Sequence, residues 1–165
     1  MWLGIDPGLD GAIGVLRDDD TLAVHDMPTL RVGAGGKRTV DYAALASLVD
    51  QIHRDGMPHL AVIEQVASSP QMGVSSAFAF GDGYGLVKGV LAAHFVPLRF
   101  VTSPSWKRAV RIAAGSGKDV SRQRASEFFP RYAAIWQRVR DDGRADAALL
   151  AWYARDACRR DRCAA

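Results

Sequence analysis

Cysteine is scarce in this 165-residue chain: only Cys158 and Cys163 occur, five apart in a polar C-terminal stretch. That spacing fits neither a zinc site nor a secreted disulfide framework, so both are read as free thiols of a cytoplasmic protein. Long apolar runs are lacking too. None approaches the roughly 20 residues that cross a bilayer, and no charged segment precedes an apolar stretch at the start, so no membrane association is expected. The four histidines, His25, His53, His59 and His94, show no metal-ligand spacing. What is left is a chain of one-domain size, 1–165, long enough to bury a core without disulfides or a structural metal.

Positive charge is missing from the first part. Residues 1–98 hold 6 Lys/Arg against 11 Asp/Glu, net −5, whereas residues 99–165 hold 15 against 7, net +8. The overall charge of +3 hides this asymmetry. It predicts a basic face built by the C-terminal part and suited to a polyanion such as nucleic acid, unless the arginines only solvate a surface.

The chain opens on three short β-type runs, WLGID, AIGVL and TLAVHDM, joined by the turns PGLDG and RDDD, which is the pattern of an antiparallel meander. PTLRVGAGGKRT, rich in glycine and basic residues, reads as a mobile loop. Asp41 or Thr39 can cap the next segment, DYAALASLVDQIH, where Leu45, Leu48, Val49 and Ile52 recur at helical spacing. PHLAVIEQV predicts a buried strand, with Glu64 at its end and a polar loop beyond. A helix from about Ser76 to His94 and a last strand, PLRFVT, follow. The segment from Pro104 onward reads as helices with basic exposed faces. The order β-β-β-α-β-α-β-α-α implies an α/β fold, a mixed sheet with helices on both faces. Gly81, Gly85 and Gly89, four apart in the long helix, form a small-residue stripe that allows close packing.

Four acids stand out. Asp6 and Glu64 each end a strand, and if those strands are neighbours both carboxylates emerge at one sheet edge, where open α/β sheets build their sites. Asp142 and Asp146, four apart, stack on one face of a helix, and Asp146 shares the apolar stripe of Leu149, Leu150 and Tyr153. Four carboxylates in one place repel unless divalent cations lie between them, and oxygen-only ligands favour Mg²⁺ or Mn²⁺ over zinc. Duller roles exist: Asp6 as a turn former before Pro-Gly, Glu64 as a surface residue, Asp142 as a helix cap. Two phosphate-loop lookalikes are set aside. GSGKD has Ile112 where a glycine is required and Asp119 in place of Ser/Thr, and GDGYG lies inside a helical stretch.

GIDPGLDGAIGV, VIEQV and DDGRADAALLAWY resemble the three acidic motifs of RuvC-type Holliday junction resolvases, most closely the phage and prophage branch. The likeness extends through VSSAFAFGDGYG, TSPSWK and KDVSRQRASEFFP. It implies an RNase H-like fold with a five-stranded mixed sheet, a homodimer, and Mg²⁺-dependent hydrolysis of DNA at four-way junctions, with two ions per site and Mn²⁺ as a substitute. By the same resemblance Asp6 would bridge the metals, Glu64 would hold one and help orient water, and Asp146 would complete the site, in the two-metal scheme. The glycine stripe would then be the dimer contact, with packing on its own sheet as the alternative.

Two departures from the family pattern bear on this. An acid or histidine usually sits three residues before the last aspartate, and here that residue is Gly143, which leaves Asp142 as the candidate fourth ligand or merely a cap. The aromatic that enters the junction is replaced by Ala67, with Met72 as a possible apolar substitute. Lys107 matches a family lysine near the scissile phosphate, and Lys118 lies in the region of a second, where a cation would steady charge building on phosphorus. Lys37 and Arg38 could bind backbone phosphates, and Arg122 and Arg144 complete the expected DNA contacts. The rival functions are a general RNase H-fold nuclease on flaps or RNA-DNA hybrids, and a branched-DNA-binding protein without catalysis.

Overall fold

Alternation along the strands sets the architecture of the computed structural model, which describes residues 1–117 and 119–163. In β1 (Trp2–Asp6) the odd residues Leu3 and Ile5 enter one core, while Trp2 enters another on the opposite face. In β6 (Leu60–Gln65), Ala61 and Ile63 share the first face, and Leu60 and Val62 the second. Period-2 side-chain direction therefore makes both faces of the sheet apolar, and each must be covered.

Five strands pair in the order β3-β2-β1-β6-β7. β1, β2 (Ala12–Leu16) and β3 (Leu22–Asp26) form the expected antiparallel meander, and β6 and β7 (Leu98–Thr102) add in parallel. Parallel neighbours need crossovers. α1 (Tyr42–Asp55) and α2 (Val74–Ala93) supply them and cover the Leu3–Ile5 face, with Asp41 rather than Thr39 capping α1 by accepting the Ala44 N–H at 3.0 Å. α3 (Ser103–Ala109), α4 (Asp119–Phe128) and α5 (Asp142–Cys163) cover the other face, joined by 3₁₀ turns at Pro130–Trp136 and Val139–Asp141.

Two glycines decide how close α5 comes. Gly4 and Gly14 are cross-strand partners, and a Cβ on Gly4 would lie 2.0 Å from Ala151 N, one on Gly14 2.6 Å from Ala147 O. Only hydrogen at both positions lets the alanine-rich side of α5 rest on the sheet backbone. Ala147, Ala148 and Ala151 are fully buried there.

Two expectations are corrected. PTLRVGAGGKRT is not a mobile loop but a hairpin, β4 (Thr29–Val32) and β5 (Lys37–Val40), paired from Thr29↔Val40 to Val32↔Lys37. Gly33 and Gly36, at φ +71° and +58°, reverse the chain, and Arg31 Nη1 donates to Gly36 O at 2.8 Å; glycine here closes a hairpin that composition disguised. The stripe Gly81, Gly85 and Gly89 does not pack on the sheet, because a Cβ at any of the three would meet nothing within 4 Å. No helix among the described residues is long and apolar enough to cross a membrane.

Candidate active site

The parity that sends Trp2 toward α5 continues to Asp6, and the parity of Leu60 and Val62 continues to Glu64. β1 and β6 are parallel neighbours with Ile5 opposite Ile63, so the next residues, Asp6 and Glu64, leave adjacent strand ends at one sheet edge on one face. Asp146 comes from the covering helix. It precedes Ala147, whose carbonyl lies against Gly14, so the glycine pair seats this carboxylate above the same edge.

The electrostatics tie the three together. Burial pushes the Asp6 carboxyl from its ordinary 3.8 up to about 6, against the Gly8 N–H that donates to its Oδ1 at 3.1 Å; Glu64 raises it further, and Lys107 lowers it. Asp146 is pushed up to about 7, chiefly by burial, with the Ser121 hydroxyl and Lys107 working the other way and Asp6 and Glu64 adding to the rise. Asp146 Oδ1 is buried without a hydrogen-bond partner. A buried, unpaired carboxylate oxygen beside two further carboxylates is costly as it stands and is what a hard divalent cation would relieve. The donor set therefore fits Mg²⁺ or Mn²⁺. The acids are not a ready nest, however: among the described residues, no three His, Cys, Asp or Glu side chains are gathered closely enough to hold an ion. The two observations are compatible, since like charges that sense one another also repel.

Gly143 has a steric cause. A Cβ there would lie 2.3 Å from Asp10 O, 2.8 Å from Gly11 Cα and 3.0 Å from Asp6 Oδ2. The start of α5 presses on the β1–β2 turn, which leaves no room for an acid. Asp142 turns elsewhere. Its Oδ1 lies 3.0 Å from Arg122 Nε, an ion pair by distance whose angles fall short of a hydrogen bond. The charges that chiefly move Asp6 are Glu64, Lys107 and Asp10, and those that chiefly move Asp146 are Lys107, Asp6 and Glu64; Asp142 is not among them. Nor is Asp142 the capping carboxylate of this corner. Asp141 is, with its Oδ2 accepting the Arg138 N–H at 3.0 Å.

A cleft of about 1420 Å³ opens over Asp6 and Asp146, walled by the β1–β2 turn, Arg38 of the hairpin, the loop after α3 and the start of α5. Lys107 lines it. Arg38 is held by Asp10 and Leu9 O, each at 2.5 Å, so it clasps the hairpin to the turn that carries Asp6. Lys37 is exposed on β5, outside the cleft lining. Arg144 forks onto both Asp26 oxygens at 2.5 Å, and Arg122 is committed to Asp119, Asp142 and Gln137 O. Those two guanidiniums hold the chain together before they hold anything else. Lys118 lies outside the described residues. Arg108, Arg138 and Arg140, which also line the cleft, escaped the sequence reading; the charge asymmetry signalled them only collectively.

This sheet order, with helices on both faces and α5 laid across β1 and β2, is that of an RNase H-like fold. Its shape is similar to the structure of RuvC from Thermus thermophilus, with a TM-score of 0.60 at 17% identity over 94% of this chain and 95% of that one. RuvC of the same organism in complex with Holliday junction substrate gives 0.55 at 19% identity over 94% of each chain. Likeness at such identities speaks for a shared fold. No family model matches the chain, and no curated protein matches it by sequence.

Proposed function

We propose that this protein is a divalent-cation-dependent endonuclease that cuts branched DNA, with the four-way junction as its substrate. The observation that carries the reading is that Asp6 and Glu64, at adjacent strand ends, and Asp146, from the covering helix, come to one face and one edge of the sheet, with Asp6 and Asp146, both with raised pKa values, lining a cleft beside Lys107. The shared fold with RuvC, whose complex holds a Holliday junction, supports the choice of substrate.

Asp6, Glu64 and Asp146 would hold the cations. Bound there, divalent ions supply charge that stabilises both the attacking and the leaving oxygen of an in-line displacement at phosphorus. The chain's own residues position and neutralise. The Gly8 N–H fixes one oxygen of Asp6, α5 holds Asp146 rigidly because its alanines sit on the glycine pair, and Lys107 offers a cation to the phosphate as charge grows on it. Asp142, held by Arg122, would reach the site only by giving up that pair.

We further propose a homodimer through the outer side of α2, where Gly81, Gly85 and Gly89 face open space and Val74 and Phe78 are 87% and 78% exposed. Twofold symmetry suits a junction, because two equivalent sites can nick two symmetric strands.

The test is incubation of the purified protein with a labelled synthetic junction in Mg²⁺, with Asp6→Asn alongside. Paired nicks by the wild type and none by the variant support the reading, and an uncut junction refutes it. One observation favours a second reading, branch binding without cleavage: the carboxylates are not gathered into a nest. That reading requires a retarded but intact junction in both Mg²⁺ and Mn²⁺.

A further inference from the structure

The corner before α5 presents an apolar side chain in an unusual way. Val139 is 70% exposed on the one-turn 3₁₀ helix Val139–Asp141, and it lines the cleft between Arg138 and Arg140, both also exposed. A lone exposed valine needs no explanation. This one sits on a braced support. Asp141, its carboxylate only 5% exposed, accepts from Arg138 N at 3.0 Å, Nε at 3.0 Å and Nη2 at 2.8 Å, and Arg144 Nη1 approaches it at 3.7 Å. Arg144 in turn forks onto Asp26 at the end of β3, so the corner is tied to the sheet. The network fixes the turn that carries Val139 at the rim.

A fixed apolar tip between two cations matches one kind of surface in particular. Phosphates would meet the arginines, and the tip would meet the faces of bases or sugars. Peptide and membrane partners fit less well, because the apolar contact is a single residue flanked by two arginines.

We infer that the turn Arg138–Asp141 is a DNA-contacting element of the cleft rim, in which Arg140 and the exposed part of Arg138 engage backbone phosphates and Val139 packs against bases unstacked at the branch point. This rests on the branched-DNA reading above and adds residues to it. Apolar side chains that enter base steps are a general device for holding distorted DNA, and flanking cations offset the phosphate repulsion that accompanies the distortion.

The experiment uses the full chain and a synthetic four-way junction with 2-aminopurine beside the branch. Binding is measured by anisotropy in EDTA across a salt series, and cutting in Mg²⁺. Wild type, Val139→Ser and Arg140→Gln are compared after melting curves confirm equal stability, as exposed positions allow. Val139→Ser is expected to keep the salt slope of binding, lose most of the 2-aminopurine rise and cut about tenfold more slowly. Arg140→Gln is expected to bind several-fold more weakly, with a log–log salt slope shallower by about 0.9, one phosphate contact. Wild-type fluorescence and cutting in Val139→Ser, or wild-type affinity and salt slope in Arg140→Gln, overturns the inference and leaves the nuclease reading standing. A wild type that neither prefers nor cuts the junction overturns both.

Discussion

The charge buried at the sheet edge has a thermodynamic consequence that can be measured without any substrate. Asp146 and Asp6 carry folded-state pKa values of about 7 and about 6 against an ordinary 3.8. A carboxyl whose pKa rises on folding stabilises the fold while protonated, fully so below 3.8, and loses that contribution as pH climbs through 6 to 7. At about 1.4 kcal/mol per tenfold change in proton affinity, ionising Asp146 removes about 4 kcal/mol and Asp6 about 3 kcal/mol. Even the first figure is a large share of the 5–15 kcal/mol typical of a domain.

Other groups oppose or bracket this trend. Asp26 and Asp141 are held below the usual carboxylate range by Arg144 and Arg138 respectively, so their contribution is complete above about pH 4. His25, lowered by burial, favours the folded state at higher pH. The wild-type slope is therefore a composite, and the variant Asp146→Asn isolates its main part. In EDTA the wild type should lose stability between pH 5 and pH 8, and Asp146→Asn should lose about 2.5 kcal/mol less, the rest of the loss lying below pH 5, a difference of roughly 5–10 °C in Tm for a chain of this size. Mg²⁺ at a hundred times its dissociation constant should return about 2.7 kcal/mol to the wild type at pH 8 and much less to the variant. The assay is a melting series by circular dichroism at pH 5, 6, 7 and 8, with and without metal. An Asp146→Asn profile parallel to the wild type in EDTA would refute the claim that burial of this carboxylate is the cost. A wild type indifferent to Mg²⁺ and Mn²⁺ would refute the claim that a cation offsets it.

Further outcomes follow from single contacts. Gly143→Asp should not restore a fourth ligand: with Asp10 O 2.3 Å from the new Cβ it should destabilise by about 1–3 kcal/mol and abolish cutting, read by melting and junction cleavage. Gly4→Ala, whose Cβ would lie 2.0 Å from Ala151 N, should cost about 3 kcal/mol or more and lift α5 from the sheet, measurable as lost protection of α5 amides from exchange. Lys107→Met should slow cleavage by about 10²-fold or more. Because Lys107 lowers both Asp6 and Asp146, the same variant should raise both folded-state pKa values and carry the metal-free stability loss to higher pH.

Asp6 and Glu64 were legible in the sequence because strand parity and strand ends are local properties: once two runs are read as neighbouring parallel strands, the direction of their last side chains follows. Asp146 was legible for the opposite reason, as a polar residue where helical periodicity demanded an apolar one. What sequence reasoning missed is tertiary. Nothing in WLGID or AIGVL says that Gly4 and Gly14 face each other, and only that pairing explains how α5 comes close enough for Asp146 to matter. The same holds for the arginines. Arg122 and Arg144 read as free cations because their partners, Asp142 and Asp26, lie 20 and 118 positions away along the chain. The segment RDDGRAD shows the limit most sharply. Its three aspartates are alike as residues, yet Asp141 ends the 3₁₀ turn and is buried under Arg138, Asp142 opens α5 and pairs with Arg122, and Asp146, one turn on, is buried where the charges of Lys107, Asp6 and Glu64 reach it. Gly143 lets the start of α5 lie against Asp10 O, so the glycine that interrupts the expected ligand pattern is also what permits the close approach of this helix to the turn after Asp6.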